Sequence, residues 1–275
     1  MNTKLKSFLL WVAAFVITVG SAYYQRTTGP TYELRGRVTI DETVYQYKLI
    51  RTYDGNDQAP VEIAVADPDV SGELKLRRYK SHDEWSTTTM VRQGDKLTGY
   101  IPHQPMAGKV MYHVTLKKGG NTFLLNEEPA IIRFKGFVPR GILIAHIIII
   151  FLAMLFSTRT AFEVLFKLKY TYLYTWITLI CLTIGGMILG PVVQKYAFDA
   201  YWTGWPFGHD LTDNKSLLAF IFWIVALAYQ IWRREKKNWA VVAAVVLFLV
   251  YIIPHSILGS EIDYTKEGPQ QEIQK

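Results

Sequence analysis

Three histidines and two aspartates carry the richest chemistry in this chain, and all of them fall in or beside apolar runs. His146 lies inside the otherwise apolar stretch Gly141–Phe156, and His255 lies near the end of the last such stretch, Trp239–Leu258. His209, Asp210 and Asp213 belong to the connection Trp202-Thr203-Gly204-Trp205-Pro206-Phe207-Gly208-His209-Asp210-Leu211-Thr212-Asp213-Asn214-Lys215. Neutral imidazole and carboxylate are suitable ligands for zinc, iron or copper. Helical bundles build metal sites from inward-facing side chains on separate helices. His146, His209, Asp210, Asp213 and His255 are therefore the candidate metal ligands. His146 and His255 alone form a second candidate set, the axial pair of a b-type haem, because they are the histidines placed within apolar runs.

Each of these residues also has a purely structural reading. Asp210 or Asp213 can cap the helix that follows by accepting bonds from its free amides. Tyr201, Trp202 and Trp205 suit an interfacial aromatic belt, with Pro206 and Gly208 forming a re-entry turn. His146 is the hardest to dismiss. An ionisable residue roughly 5–10 Å below the membrane boundary, counted at ~1.5 Å per helical residue, faces the bundle interior and finds a partner.

Enzyme chemistry has thinner support. Ser256 beside His255 makes no useful pair, because adjacent helical residues point apart. A membrane hydrolase using a metal-bound water would need the histidine ligands above and an acidic base. The sequence has no HExxH, no phosphate-cradling loop and no dinucleotide fingerprint, and no inverted repeat that would mark a transporter. Three classes thus stand: a binding or accessory protein, a metal-dependent hydrolase or haem-linked redox subunit, and a structural scaffold.

The elements that would position these residues are membrane spans. Ser7–Tyr24 follows a basic start and reads as a signal anchor, with Gly20, Ser21 and Ala22 offering an alternative signal-peptidase site. Gly141–Phe156, Tyr170–Gly190, Leu217–Trp232 and Trp239–Leu258 read as four further helices. Gly186 and Gly190 form a small-xxx-small pair suited to close packing within the bundle, and Pro191 is expected to end its helix. The basic residues Lys4, Lys6, Arg159, Lys167, Lys169, Arg233, Arg234, Lys236 and Lys237 flank these runs on one side. The positive-inside rule makes that side cytoplasmic. An inner-membrane protein follows, with residues 25–138, the loop 191–214 and the C-terminal tail outside.

Between Tyr32 and Lys135 the pattern changes to short alternating runs: Tyr32–Ile40, Val44–Thr52, Val61–Ala66, Glu73–Tyr79, Lys96–Ile101, Lys109–Leu116 and Ala130–Phe134. Asp54-Gly55-Asn56, Ser71-Gly72, Gln93-Gly94-Asp95 and Gly119-Gly120-Asn121 read as turns. Strands at this spacing predict an antiparallel sandwich. Leu74–Tyr79, Trp85, Leu97–Pro102 and Gly108–Val114 carry a resemblance to immunoglobulin-like or fibronectin-type-III-like domains. The resemblance implies a sandwich fold and no particular function; the cysteine pair of antibody-type domains is absent. His82, His103 and His113 show no ligand spacing and read as surface or packing residues, and Trp85 as a core or edge residue.

The fold class is thus α+β: an extracytoplasmic sandwich (25–138), a four-helix transmembrane domain (139–260), a signal anchor or peptide (1–24) and a disordered polar tail (261–275). Composition agrees, with half of the 275 residues apolar. The net charge of +7 sits largely in clusters beside apolar runs, not on a basic face interleaved with aromatics, which argues against nucleic acid. The expected partners are the lipid bilayer and another membrane or envelope protein. Cys181, the single cysteine, lies in an apolar run, so no internal disulfide forms.

Overall fold

The computed structural model describes residues 3–233, 237–255, 259 and 261–266. Ser256, Leu258, Arg234, Lys236 and the tail from 267 onward lie outside the described residues. Two compact units emerge: a helical one (Met1–Pro30 with Val138–Gly259) and a β one (Thr31–Phe137 with Ser260–Lys275).

The helical unit holds α1 (Thr3–Thr28), α2 (Arg140–Leu165), α3 (Thr171–Phe198), α4 (Leu211–Trp232) and α5 (Asn238–Ile252). The first four are long and apolar enough to cross a membrane, whereas α5, with 15 residues, is shorter. At ~1.5 Å per residue α5 rises only about 22 Å, less than the ~30 Å of a hydrocarbon core. Small residues let the helices approach. Ala219, Ala226, Ala240, Ala243 and Ala244 surround the fully buried Trp223, with Ala153, Met154 and Leu182.

Pro191 does not end its helix. The stretch Leu182–Leu189 within α3 is π-helical, and the Gly190 N–H reaches back five residues to Gly185 O. Pro191 then falls in the first turn of the next α-helical stretch, Gly190–Phe198. There its missing N–H costs little. The chain leaves α3 only at Asp199, which adopts a left-handed conformation. The crowded glycine is Gly185, where a Cβ would lie 3.0 Å from Ile149 and 3.1 Å from Ile150. Gly186 has almost open space beside it, and Gly190 faces the His146 ring.

Helix α2 also runs past its apolar stretch, because its polar end is internally compensated. Arg159 reads in the sequence as a surface basic residue; the structure buries it completely. Its guanidinium pairs with Glu163 at 2.7 Å, one turn on. It also donates to Ser7 Oγ at 3.2 Å and lies over the rings of Trp11 and Tyr174. Glu163 Oε2 accepts from the Tyr170 N–H at 2.8 Å, fixing the start of α3. The first helix therefore packs as a member of the bundle, and Gln25 near its end donates to Tyr251 O.

The β unit contains β1 (Leu34–Ile40), β2 (Thr43–Leu49), β3 (Thr52–Tyr53), β4 (Ala59–Ala64), β5 (Ser71–Arg78), β6 (Ser86–Thr89), β7 (Val91–Gln93), β8 (Lys96–Ile101), β9 (Lys109–Lys118), β10 (Asn121–Leu124) and β11 (Ala130–Phe134). They form a β1-β2 hairpin, a β3-β11-β9-β5-β6 sheet with β10 added on β9, and a β4-β8-β7 sheet. Pairing is antiparallel except between β3 and β11, which run parallel. Strands β6, β7 and β10 escape the alternation rule because they carry little apolar signal; every residue of β6 is exposed. Ser71-Gly72 opens β5 and is not a turn, since Gly72 gives the room that Met90 Sδ occupies. Gly94, Gly119 and Gly120 do turn the chain, all at positive φ.

One core joins the three sheets, with Ile40, Leu49, Ile63, Leu74, Leu97, Ile101, Tyr112, Leu116 and Ile132 all buried. Each such side chain contributes roughly 1.5–3 kcal/mol. Polar pins fix the connections. Asn126, itself buried, accepts from Val114 N–H and donates to Tyr112 O and Glu128 O. The Arg92 guanidinium donates to Val65 O, Asp67 O and Val70 O.

The tail expected to be disordered begins with a stretch that is held in place. Ile262 N–H donates to Ala107 O at 3.4 Å, Tyr264 Oη donates to Gln104 Oε1 at 2.9 Å, and the Arg78 guanidinium covers the Tyr264 ring. Glu261 pairs with both Lys80 and Lys109. Partial burial would raise the Glu261 carboxyl, but its bonds to Lys109 and Lys80 hold it below the ordinary carboxylate value. A carboxyl lowered on docking stabilises the docked form above its free pKa, and that contribution fades as pH falls through the lowered value. The protection factor of the Ile262 amide, its exchange compared with an unstructured chain at the same pH, should therefore fall on acidification. Glu261→Gln should lower that protection at neutral pH and remove its acid dependence, through the loss of two ion pairs worth roughly 0.2–1 kcal/mol each. An Ile262 amide insensitive to both changes would show that Tyr264 alone holds the segment.

Candidate functional site

At the end of the bundle where α2 and α4 begin, the connection after α3 is built by its own polar residues. Asp210 caps α4, its Oδ1 accepting from the N–H groups of Thr212 (2.8 Å) and Asp213 (3.4 Å). Asp213 is buried and its Oδ2 accepts from Thr203 N–H (2.7 Å), Gln194 Nε2 (3.1 Å) and Thr203 Oγ1 (3.3 Å). Asn214 Oδ1 accepts from Trp205 N–H at 2.6 Å. Gly204 is required here, since a Cβ would lie 2.6 Å from Asp213 Cβ. Gly208 would likewise meet Thr203 O at 2.5 Å. Both aspartates are thus occupied in shaping the connection. Its rim carries exposed Trp205 and Phe207, and His209 is also exposed.

His146 stands inside the bundle, two turns into α2. Its Nδ1 lies 2.9 Å from Gly185 O, in the π-helical stretch of α3. A carbonyl can only accept, so Nδ1 carries the hydrogen, and in the neutral ring Nε2 is left as acceptor or ligand. The widened helix and the absence of a side chain at Gly185 bring that carbonyl within reach.

Lys215, one turn into α4, is the residue that pattern reading overlooked. It is buried, and its Nζ donates to Ile253 O at 2.6 Å, latching the start of α4 to the end of α5. A cation there also opposes the negative end of the α5 dipole. His255 lies two residues further on, in the turn beyond α5, and keeps an exposed surface. Lys215, His146 and Asp210 all lie within electrostatic reach of it. The only signal for Lys215 in the sequence is a cation placed just ahead of an apolar run, where a capping aspartate pair draws the eye first.

His146, Asp210 and His255 therefore gather at one end of the bundle, as the topology suggested, with Lys215 among them. Asp213 is turned into the connection, and His209 is exposed on its rim. Among the described residues no three His, Cys, Asp or Glu side chains come together as a metal ion requires. The ammonium beside His255 further opposes a dication. What the cluster offers instead is the Lys215 ammonium and the His255 imidazole for an anionic group, with the Asp210 carboxylate engaged as the α4 cap and His146 Nε2 left as an acceptor. In the β unit, His113 Nδ1 bonds Asn126 O and its ring lies against Trp85, while His103 lies against Phe134. Trp85 is half-buried, under Lys75 and Arg77.

Comparison with protein-family models, curated proteins and solved structures finds no match to this chain.

Proposed function

We propose that this chain is a multi-pass cell-envelope membrane protein of the binding or accessory class, which takes a ligand bearing an anionic group at Lys215 and His255. The reading places it in the inner membrane with its N-terminus in the cytoplasm. Its β unit, of immunoglobulin-like sandwich pattern, then lies outside, beside an envelope protein partner. Four helices of spanning length support the membrane setting. The basic residues Lys4, Lys6, Lys167, Lys169 and Lys237, all at one set of helix ends, support the orientation.

The observation that carries the ligand site is the buried Lys215 ammonium, held on Ile253 O two residues before His255. A ligand that binds only the folded protein raises its melting temperature by mass action. Detergent-purified protein titrated with inorganic phosphate or acetate should melt at a higher temperature, and Lys215→Met should lose the rise. An equal response from protein and variant would sink the anion site.

A second reading, a b-type haem, is favoured by one observation. His146 has its Nδ1–H anchored on a carbonyl and its Nε2 free, with His255 nearby. Lys215 would then face a propionate. Protein purified from haem-replete cells should show a Soret band that His146→Ala and His255→Ala each abolish. A colourless protein rejects the haem. If both histidine variants also leave melting and anion response untouched, the site is structural and the scaffold class gains.

A further inference from the structure

The β1-β2 hairpin carries an open edge with a definite charge. Asp41 and Glu42 form its two-residue loop, so Ile40 and Thr43 are a hydrogen-bonded pair. The ladder then alternates. Ile40, Val38, Gly36 and Leu34 turn their N–H and C=O groups towards β2, whereas Arg35, Arg37 and Thr39 turn theirs away. Among the described residues no strand pairs with that side, and nothing bonds these three N–H and C=O groups. β2 lies beside β4, so the open side of the hairpin is that of β1. Arg35, Arg37 and Thr39 are all exposed. The edge is also fixed in place. Tyr47 lies across Gly36, leaving no room for a Cβ, and its hydroxyl donates to Leu125 O. Val38 and Ile40 join the core from the same face. An added strand would therefore meet a preorganised template.

The side chains say what such a strand must carry. On the outer face stand Arg35, Arg37 and, across the ladder, Lys48. Glu33 pairs with Arg35 and Lys48, whereas Arg37 has no ion-pair partner among the described residues. A second copy added antiparallel, with all three residues paired, would set Arg37 against Arg37, which repels. Charges on an edge guard it in this way against like strands. The same charges suit a strand with carboxylates at alternate positions. Its intervening residues would lie beside Leu34 and Val38, on the apolar face. We propose that β1 accepts, as an added strand, an extended segment of an envelope protein in which Asp or Glu alternates with apolar residues. The proposal rests on the reading that the β unit meets a partner, and shares no residue with the Lys215 site.

The test uses the full chain in detergent and residue-resolved hydrogen exchange, with a soluble peptide alternating glutamate and valine as probe. At about ten times its dissociation constant, the peptide should slow exchange of the Arg35, Arg37 and Thr39 amides about tenfold. The same peptide N-methylated throughout keeps its charges but cannot donate to the edge, and should give no protection. Arg37→Glu, at an exposed position, should weaken the glutamate peptide about tenfold and admit its lysine counterpart. Equal protection by the plain and N-methylated peptides would reduce the edge to a charged patch and overturn the proposal, as would no protection by either. Amides already slow without peptide, and slower as protein concentration rises, would overturn it in favour of a second copy. Cross-linking in intact membranes that joins no other protein to the β unit would reject the partner itself, and the proposal with it.

Discussion

Replacing Glu163 with leucine is expected to destabilise the helical unit by about 3–5 kcal/mol, the cost of leaving a buried charge without its partner. Arg159 and Glu163 are almost wholly enclosed, and the carboxylate serves two donors, the guanidinium and the Tyr170 N–H. Removing it strands a cation among Trp11, Tyr174 and Ser7. It also frees the first turn of α3. In a bilayer the unpaired guanidinium could reach a headgroup only by reorienting α2, which carries Ile149 and Ile150 packed on Gly185. The sharper expectation concerns the double variant. Arg159→Met with Glu163→Leu removes both charges and keeps the volume, so it should recover much of the lost stability. The fraction of monodisperse protein surviving a heating series in detergent measures both. A double variant no better than Glu163→Leu would mean that the pair holds α1 and α3 by geometry and not by mutual neutralisation.

The second large effect is expected at Asp213. Asp213→Ala removes an acceptor shared by Thr203 N–H, Thr203 Oγ1 and Gln194 Nε2. Bonds to a charged acceptor contribute ~1.5–3 kcal/mol each, and their overlap here sets the expected loss at about 3 kcal/mol. Asp210→Ala should cost about 1 kcal/mol, the ordinary value of a helix cap. The two variants differ in where the loss appears. Asp213→Ala should loosen residues 199–210 and make them a protease target, whereas Asp210→Ala should act on α4 alone. Matching melting shifts and matching cleavage would show that both aspartates act merely as caps.

Much of the architecture was legible because burial imposes a period. The spans and the long strands β5, β8, β9 and β11 repeat apolar residues at the intervals that their packing needs. The edge strand β6 has nothing to bury, so alternation could not announce it. Pro191 misled because a proline stops a regular α-helix, and the π-helical turn that accommodates it leaves no mark in hydropathy. Arg159 misled for the opposite reason. A basic residue past an apolar run is usually solvated, and only its spacing from Glu163, one helical turn, pointed to a buried pair. At the site, His146 stood out because an imidazole in an apolar stretch needs a partner. Which partner depended on a backbone carbonyl, and carbonyls carry no sequence signature. Lys215 was hidden by its neighbours, since Asp210 and Asp213 supply a full account of that turn until the bond to Ile253 O is seen.

The docking of residues 261–266 makes the β unit discontinuous in the gene. A recombinant fragment ending at Phe137 would lack Tyr264, whose hydroxyl fills the space beside Gly108, and would leave Lys80 and Lys109 without Glu261. During synthesis the same break sets an order of events. The ribosome makes the eleven strands, then every helix from α2 to α5, and only then the segment that completes the strands. Residues 261–266 finish the unit that began before the bundle, so its closure reports that the helices from α2 to α5 have been made.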